Sequence, residues 1–208
     1  KAKQLGIKKI VCASSSSLYG ERTRFPEKET DAARPASPYG ATKLIVEYYS
    51  QLFSNLYGMD IVNLRYFNVY GPRQSLDDEY AVVVPKFINC LLRGESPPVY
   101  GDGKQERDFT FISNVVDANI TVLAKDGLAG EIFNIGLGSP KSVNYLLDSL
   151  KSILNCDIEP RYLPPRQGDV RKTHASIEKA KKMLGWQPAV NFQDGLKIAV
   201  EWFKNNKS

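Results

Sequence analysis

The chain has few of the residues that build metal sites and disulfide frameworks. Its 208 residues include one histidine and three cysteines, with no C-x-x-C pair. An odd number of widely spaced cysteines is typical of free thiols in a reducing compartment. A metal site of histidine and cysteine ligands is not expected from this composition.

Long apolar runs and clusters of basic residues are also missing. No apolar stretch reaches the roughly 20 residues that span a bilayer, and the first residues lack the apolar core of a signal peptide. The net charge is +5, but lysine and arginine are interspersed with acids, as in "EKETDAAR", unlike a nucleic-acid-binding surface. We therefore expect a cytoplasmic protein with no membrane partner and no nucleic acid partner. A small molecule that carries phosphate fits the positive balance better.

What is present favours a globular α/β protein. A hydrophobic content of 42% is enough for one core and a small second lobe. The runs "KKIVCAS" and "MDIVNLRYFNVYG" predict two strands. The helix predicted between them begins at Ser37 and Pro38 and ends at Gly58. A helical crossover between two strands predicts a parallel sheet.

The chain after Pro72 alternates helices with short strands. We predict a hairpin in "PPVYGDGKQERDFTFI" around Gly101–Gly103, because two apolar runs flank a glycine-rich turn. The next helix, "SNVVDANITVLAKDG", has Ser113 or Asn114 as its expected cap. A strand, a helix capped by Ser142, an extended proline-rich segment and two more helices follow.

The local pattern that most strongly indicates a catalytic site is Tyr39-x-x-x-Lys43. Residues i and i+4 share one helix face, so the phenol and the ammonium group would point the same way. A nearby cation favours the phenolate, which can serve as general base for a sugar or alcohol hydroxyl. An ordinary solvated helix face can show the same spacing, so the pair alone does not decide between these interpretations.

Four serines, in the stretch "SSSSLYG", directly follow the first predicted strand. Open α/β sheets bind ligands at the carboxyl ends of their strands, where a serine could share a substrate oxygen with Tyr39. A flexible linker is the alternative interpretation. A linker would not normally lie between a strand and Leu-Tyr-Gly.

Five motifs together are more specific than any one of them. In order, "SSSSLYG", "SPYGATK", "RYFNVYGP", "GDGKQERDF" and "RQGD" resemble the extended short-chain dehydrogenase/reductase family, in particular its sugar-nucleotide 4-epimerases of the UDP-glucose/UDP-N-acetylglucosamine type. The resemblance implies NAD as cofactor and a UDP-sugar as substrate. It also implies the C-terminal part of a Rossmann-like, doubly wound parallel sheet over residues 1–72, and a smaller α/β substrate-binding lobe over residues 73–208.

The resemblance also implies roles for individual residues. Ser15, Tyr39 and Lys43 match the catalytic serine, the general base and the lysine that supports it. Tyr39, Lys43 and Tyr66 are expected on the cofactor. The residues expected on the substrate are Ser16, Asn68, Val83, Val99, Tyr100, Arg107, Arg166, Asp169 and Thr173.

These substrate contacts divide by the part of the UDP-sugar they would meet. Val99 and Tyr100 match the pair beside the uracil ring, and Asp169 matches an acid near the ribose. The matches on the diphosphate are Asn68, Arg107 and Arg166, and a guanidinium fork suits that anion.

Two features refine the expected reaction. Dehydratases of the family carry an acidic pair, and decarboxylases usually an acid, where this chain has Ser16 and Ser17. Simple epimerisation is therefore favoured. Thr173 matches a position beside the sugar, and a small residue there hints at room for an N-acetyl group.

The glycine-rich strand–turn–helix that would hold the cofactor pyrophosphate is absent from this sequence. We therefore expect the chain to be a fragment of a longer epimerase. A short protein that has lost NAD binding is the competing interpretation.

Two other functions stay open. One is a decarboxylase, dehydratase or reductase of the same family, and the other is an inactive module that binds sugar nucleotides. The helix Tyr39–Tyr57, which is rich in aromatic residues, is the expected homodimer face.

Overall fold

The chain alternates strands and helices around a small parallel sheet. The computed structural model describes residues 1–75, 83–166 and 168–206. The helices are α1 Pro38–Tyr57, α2 Val83–Leu92, α3 Ile112–Leu123, α4 Val143–Leu154, α5 Glu178–Leu184 and α6 Phe192–Asn205. The strands are β1 Lys9–Ser15, β2 Asp60–Tyr66, β3 Val69–Tyr70, β4 Pro98–Tyr100, β5 Glu106–Arg107, β6 Thr110–Phe111, β7 Ile132–Ile135, β8 Lys141–Ser142 and β9 Arg161–Leu163.

The main sheet has the order β1-β2-β7, and both pairings are parallel. Its register places Ser15 opposite Tyr66, and Tyr66 opposite Ile135. The prediction of a parallel α/β sheet is confirmed, with α1 as the crossover. The carboxyl ends of the strands therefore meet at one edge, where a ligand is expected.

Helix α1 has the predicted ends. The Ser37 side chain accepts a hydrogen bond from the Gly40 backbone N–H at 3.1 Å, and Pro38 is the first helical residue. Gly58 ends the helix with φ 63°, a left-handed conformation that glycine adopts without a Cβ penalty. These signals place Tyr39 in the first turn of α1.

The predicted hairpin around Gly101–Gly103 is wrong. Strand β4 pairs in parallel with β9, and β5 pairs antiparallel with β8. Both glycines have the positive φ of a turn, so the chain does turn there, but each flanking strand has a partner far along the sequence.

The predicted cap of α3 is also wrong. The helix begins at Ile112 with no side-chain hydrogen bond at its N-cap, Phe111. Asn114 instead binds the loop before α6, because its side chain accepts from the Ala189 and Val190 backbone N–H groups and donates to the Val190 carbonyl.

Two hydrophobic cores lie side by side in the molecule. One packs α3 and α5 against the main sheet, and the other packs α2, α4 and α6 around Tyr70, Phe109 and Phe192. The chain crosses the domain boundary predicted after residue 72, because α3, β7 and α5 belong to the core that contains the main sheet. Within the described ranges, no helix is long and apolar enough to cross a membrane.

A strap of residues 172–177 holds the loop between β1 and α1 against the rest of the protein. The Glu27 backbone N–H donates to the His174 carbonyl at 2.8 Å, and the Ser176 N–H donates to the Glu27 carbonyl at 2.8 Å. The buried Glu27 carboxylate accepts the His174 backbone N–H at 2.7 Å. Burial raises the pKa of Glu27 from its ordinary 4.5 to about 7, and nearby Asp108 adds to the shift.

This carboxyl group makes the stability of the fold depend on pH. A raised pKa means that the folded state binds a proton more tightly than the unfolded state does. The contribution of Glu27 to the unfolding free energy is therefore fully present below about pH 4.5 and is lost as pH rises through about 7. The total loss is at most about 3 kcal/mol. We expect Glu27→Gln to flatten the pH dependence of the unfolding free energy in denaturant titrations across that window. The control Glu201→Gln, on the exposed face of α6, should show the same pH dependence of the unfolding free energy as the parent. If Glu27→Gln also kept the pH dependence of the parent, Glu27 would not be its source.

Candidate active site

The serine row divides between two faces of the sheet because side chains alternate along a strand. Ser14 is buried, and its hydroxyl donates to the Glu47 carboxylate at 2.5 Å. Ser15, the last residue of β1, caps a 3-10 turn at Ser16–Tyr19. The Ser15 Oγ accepts from the Ser17 N–H at 3.2 Å and from the Ser17 hydroxyl at 2.9 Å. Two accepted bonds leave the Ser15 proton available for a substrate oxygen.

The N-terminus of α1 lies against this serine turn because residue 40 is glycine. A Cβ built on Gly40 would come within 2.7 Å of the Ser17 carbonyl oxygen and 3.0 Å of Pro35. Real Cβ atoms essentially never approach another atom as closely as 2.7 Å, so only glycine fits this position without a backbone shift. The close approach places Tyr39, which precedes the glycine, beside the carboxyl end of β1.

Lys43 links this part of α1 to the same strand. Its Nζ donates to the Ala13 carbonyl at 3.0 Å and lies 5.5 Å from the centre of the Tyr39 ring. Tyr39 is 41% exposed, so a ligand can reach it. The structure therefore brings Ser15, Tyr39 and Lys43 to one place, as the sequence pattern predicts.

A buried ion pair lies one turn further along the same face of α1. The Glu47 carboxylate binds the Arg65 guanidinium with two hydrogen bonds, of 2.9 and 2.7 Å. Arg65 also donates to the Tyr19 hydroxyl at 2.7 Å, which donates to Asn134 Oδ1 at 2.7 Å. Burial raises the pKa of Tyr19, which keeps its hydroxyl protonated for that bond. This network was not foreseen from the sequence.

Tyr66 is the last residue of the neighbouring strand β2, and Asn68 follows that strand. The Tyr66 hydroxyl donates to Asn119 Oδ1 at 3.1 Å, and burial raises its pKa. Asn68 accepts a 2.8 Å hydrogen bond from the hydroxyl of Thr173, which is 8% exposed. The expected contact of Tyr66 with the cofactor stays a prediction.

Three of the other expected substrate residues line a cleft of about 740 Å³, which we call the lobe cleft. Its lining includes Tyr100, Arg166 and Asp169. The Arg166 guanidinium lies over the Tyr100 ring, 3.9 Å from its centre, and its hydrogen bond lowers the pKa of that phenol. Arg107 is buried beside the cleft and donates to Asp169 at 2.5 Å.

Three expected contacts stand apart from this lining. Val99 is fully buried in the second core, and half-buried Val83 packs against that core. Tyr100 is therefore the member of the Val99–Tyr100 pair that lines the cleft. Ser16 is half-buried at the start of the serine turn. Their substrate roles stay predictions.

The lobe cleft also contains residues that the sequence analysis missed. Glu21 and Asp102 both belong to its lining. Arg171 joins them, because its side chain pairs with Asp102 at 3.2 Å and its backbone N–H donates to Glu21. No spacing signal in the sequence relates these three positions.

The chain is similar to known proteins along nearly its whole length. Residues 1–136 match the model of the NAD dependent epimerase/dehydratase family. A UDP-glucose 4-epimerase of Mycolicibacterium smegmatis is 38% identical over 98% of the chain and 65% of its own length. The chain spans 62% to 65% of the length of the first curated relatives it matches.

Two solved structures superpose closely on the chain. One is a UDP-N-acetylglucosamine 4-epimerase from Methanobrevibacter ruminantium M1 in complex with UDP-N-acetylmuramic acid, with 40% identity, a TM-score of 0.93 and coverage of 98% of this chain and 65% of that one. The other is a UDP-glucose 4-epimerase from Thermotoga maritima with UDP-glucose, with 43% identity, a TM-score of 0.93 and coverage of 98% and 66%.

The buried ion pair generates a prediction about stability. Glu47→Ala would leave the Arg65 charge buried without its partner, so we expect the unfolding free energy to fall by about 3 to 5 kcal/mol in denaturant titrations. Replacing both residues together, Glu47→Leu with Arg65→Met, should cost less than either single change. The matched control is Glu178→Ala, because its ion pair with Lys181 is exposed and worth at most about 0.5 kcal/mol. A Glu47→Ala protein as stable as this control would contradict the role assigned to the pair.

Proposed function

The chain belongs to the NAD dependent epimerase/dehydratase family, and we propose that it carries the catalytic and substrate-binding part of a UDP-sugar 4-epimerase. One observation supports this most directly. Tyr39 and Lys43 share a helix face beside Ser15, whose proton is not used within the serine turn. We further propose a role in carbohydrate metabolism. The free cysteines support our proposal of a reducing compartment, the cytoplasm.

In this proposal Tyr39 is the general base. Its phenolate removes the proton of the sugar 4-hydroxyl, and the hydroxyl of Ser15 donates to the same oxygen as charge develops there. The Lys43 ammonium, 5.5 Å from the Tyr39 ring, stabilises the phenolate electrostatically. When the C4 hydrogen returns to the opposite face of the sugar, Tyr39 gives its proton back to the oxygen.

The residues at this edge of the sheet fit the nicotinamide end of NAD. Tyr39, Lys43 and Tyr66 would hold it there, and an exposed phenol beside a lysine at the carboxyl end of a parallel strand suits such a ligand. When bound, NAD accepts the hydride from sugar C4 and returns it.

The diphosphate would lie between the two groups of site residues. Arg107, Arg166 and the amide of Asn68 supply donors of the kind that phosphate oxygens accept. Asp169 already pairs with Arg107 at 2.5 Å, so it can hold that guanidinium while reaching the ribose. Uracil would stack on the ring of Tyr100, one face of which the Arg166 guanidinium covers.

Substitution of Tyr39, the proposed general base, is the direct test of this function. In full-length protein with NAD and UDP-glucose or UDP-N-acetylglucosamine, we expect Tyr39→Phe to lower kcat by about 100-fold to 10,000-fold. Ser15→Ala should lower it less, by about tenfold. NMR of the product sugar measures the rate and identifies the epimer. Tyr57→Phe, an exposed tyrosine at the far end of the same helix, is the matched control.

Two results would overturn the proposal. A product other than the C4 epimer would move the protein to a decarboxylase, dehydratase or reductase of the family. A parent no more active than Tyr39→Phe would favour an inactive module that binds sugar nucleotides.

We also propose that a second copy of the protein packs against α1. Five apolar residues at helical spacing form one exposed stripe, each more than half exposed: Ile45, Tyr48, Tyr49, Leu52 and Leu56. A stripe of this kind can meet its own copy across a two-fold axis and so form an antiparallel helix pair.

The oligomeric state tests this interface. We expect Leu52→Glu to convert a dimer into a monomer in analytical ultracentrifugation, because it would bury two carboxylates near the two-fold axis. Ile198→Glu, an exposed apolar position on α6, should leave the dimer intact. A monomeric parent, or a dimeric Leu52→Glu protein, would rule out this interface.

A further inference from the structure

We propose that Thr173 is a positioning residue that orients the side-chain amide of Asn68 and so presents its NH2 group to the substrate diphosphate. This rests on the proposed function, in which Asn68 binds the diphosphate. It gives the threonine hydroxyl a role of its own, separate from the space that a small residue leaves beside the sugar.

Asn68 is held at two points just beyond β2. Its carbonyl accepts the Thr110 backbone N–H at 3.1 Å, and its side-chain Oδ1 accepts the Thr173 hydroxyl at 2.8 Å. Its φ of 25° lies in the left-handed region, which asparagine tolerates better than most residues do. Backbone and side chain are therefore both fixed.

The number of hydrogen bonds that the Thr173 hydroxyl can donate decides which end of the Asn68 amide faces this hydroxyl. The Thr173 Oγ1 already accepts the Asp108 backbone N–H at 3.1 Å, so its single proton is the group it has left to donate. That proton goes to Asn68 Oδ1. With the amide reversed, NH2 would face the hydroxyl, and among the described residues the threonine proton would have no acceptor. A buried donor without an acceptor is unfavourable.

Thr173 is itself part of a rigid frame. Its backbone N–H donates to the Glu106 carbonyl at 3.0 Å. The Asp108 carboxylate accepts the backbone N–H groups of Leu137 and Ala175, at 2.7 and 2.9 Å. These bonds fix the backbone of Thr173 and the side chain of Asp108, and the Asp108 N–H holds the threonine hydroxyl itself, so the hydroxyl is a fixed reference for the amide.

The orientation decides what Asn68 offers to a ligand. With Oδ1 bound to Thr173, the free end is Nδ2, whose two N–H groups have no hydrogen bond within the described ranges. Two donors suit the oxygens of a diphosphate, whereas a reversed amide would present its carbonyl oxygen to a negative ligand. Loss of the Thr173 hydroxyl should therefore weaken the binding of ligands that carry a diphosphate and leave the binding of the nucleoside alone unchanged.

Calorimetric binding of UDP and of uridine to the full-length protein tests this. We expect Thr173→Val, which keeps the shape and removes the hydroxyl, to weaken UDP binding by about tenfold and to leave uridine binding within about twofold. Thr173→Ser, which keeps the hydroxyl, should bind UDP within about twofold of the parent. In an Asn68→Ala background, Thr173→Val should cause no further loss, because the two residues act through one contact.

Equal UDP affinity in Thr173→Val and the parent would overturn the inference. So would an equal loss of UDP and uridine binding, which is the mark of a merely structural change. A parent that binds neither ligand would refute the proposed function and, with it, the diphosphate role of Asn68. Denaturant unfolding of Asn68→Ala, Thr173→Val and the double variant then separates the two failures, because additive losses of stability would refute the hydrogen bond itself.

Discussion

The buried pair of Glu47 and Arg65 sets the position of α1 on the sheet. A charge removed from water must keep a partner with good geometry, or it costs several kcal/mol, so this contact permits little sliding or rotation of the helix. Tyr39 and Lys43 precede Glu47 by eight and four residues and share its face. The ion pair therefore fixes the place of the proposed base relative to Ser15.

Local signals predict both ends of α1, although they fail at the start of α3, and distant contacts decide how the elements pair. The cap, the first proline and the final glycine of α1 all act within one turn of chain, and all three are as predicted. Around Gly101–Gly103 the local signal is right about the turn and wrong about the pairing. A Cβ on Gly103 would meet the Asn144 side chain at 1.8 Å, so the start of α4 packs against this turn. No property of residues 97–112 alone could show this.

The site divides in the same way. Tyr39 and Lys43 are found from their spacing, the end of a strand points to the serine row, and the family resemblance selects Ser15 from that row; the structure brings the three together. From the sequence alone, Glu47 and Arg65 look like ordinary exposed charges. Their burial depends on strands that come together only in the folded protein. The sequence resemblance selects Ser15 from the serine row but gives Ser14 no role, because only the fold shows that the Ser14 hydroxyl donates to Glu47.

A series of hydrogen bonds and short backbone segments joins α1, the helix that carries the proposed base, to the proposed diphosphate site; it begins at the Glu47–Arg65 pair. From Arg65 it passes through Tyr19 to Asn134, whose amide donates to the Glu27 carbonyl. Glu27 pairs with the strap, and the strap carries Thr173, which holds Asn68. Both ends of the substrate would thus be placed by one frame, although they bind to different cores. Such a frame matters for a reaction in which the sugar must turn over between two hydride transfers, because the base must stay still while the diphosphate alone holds the ligand.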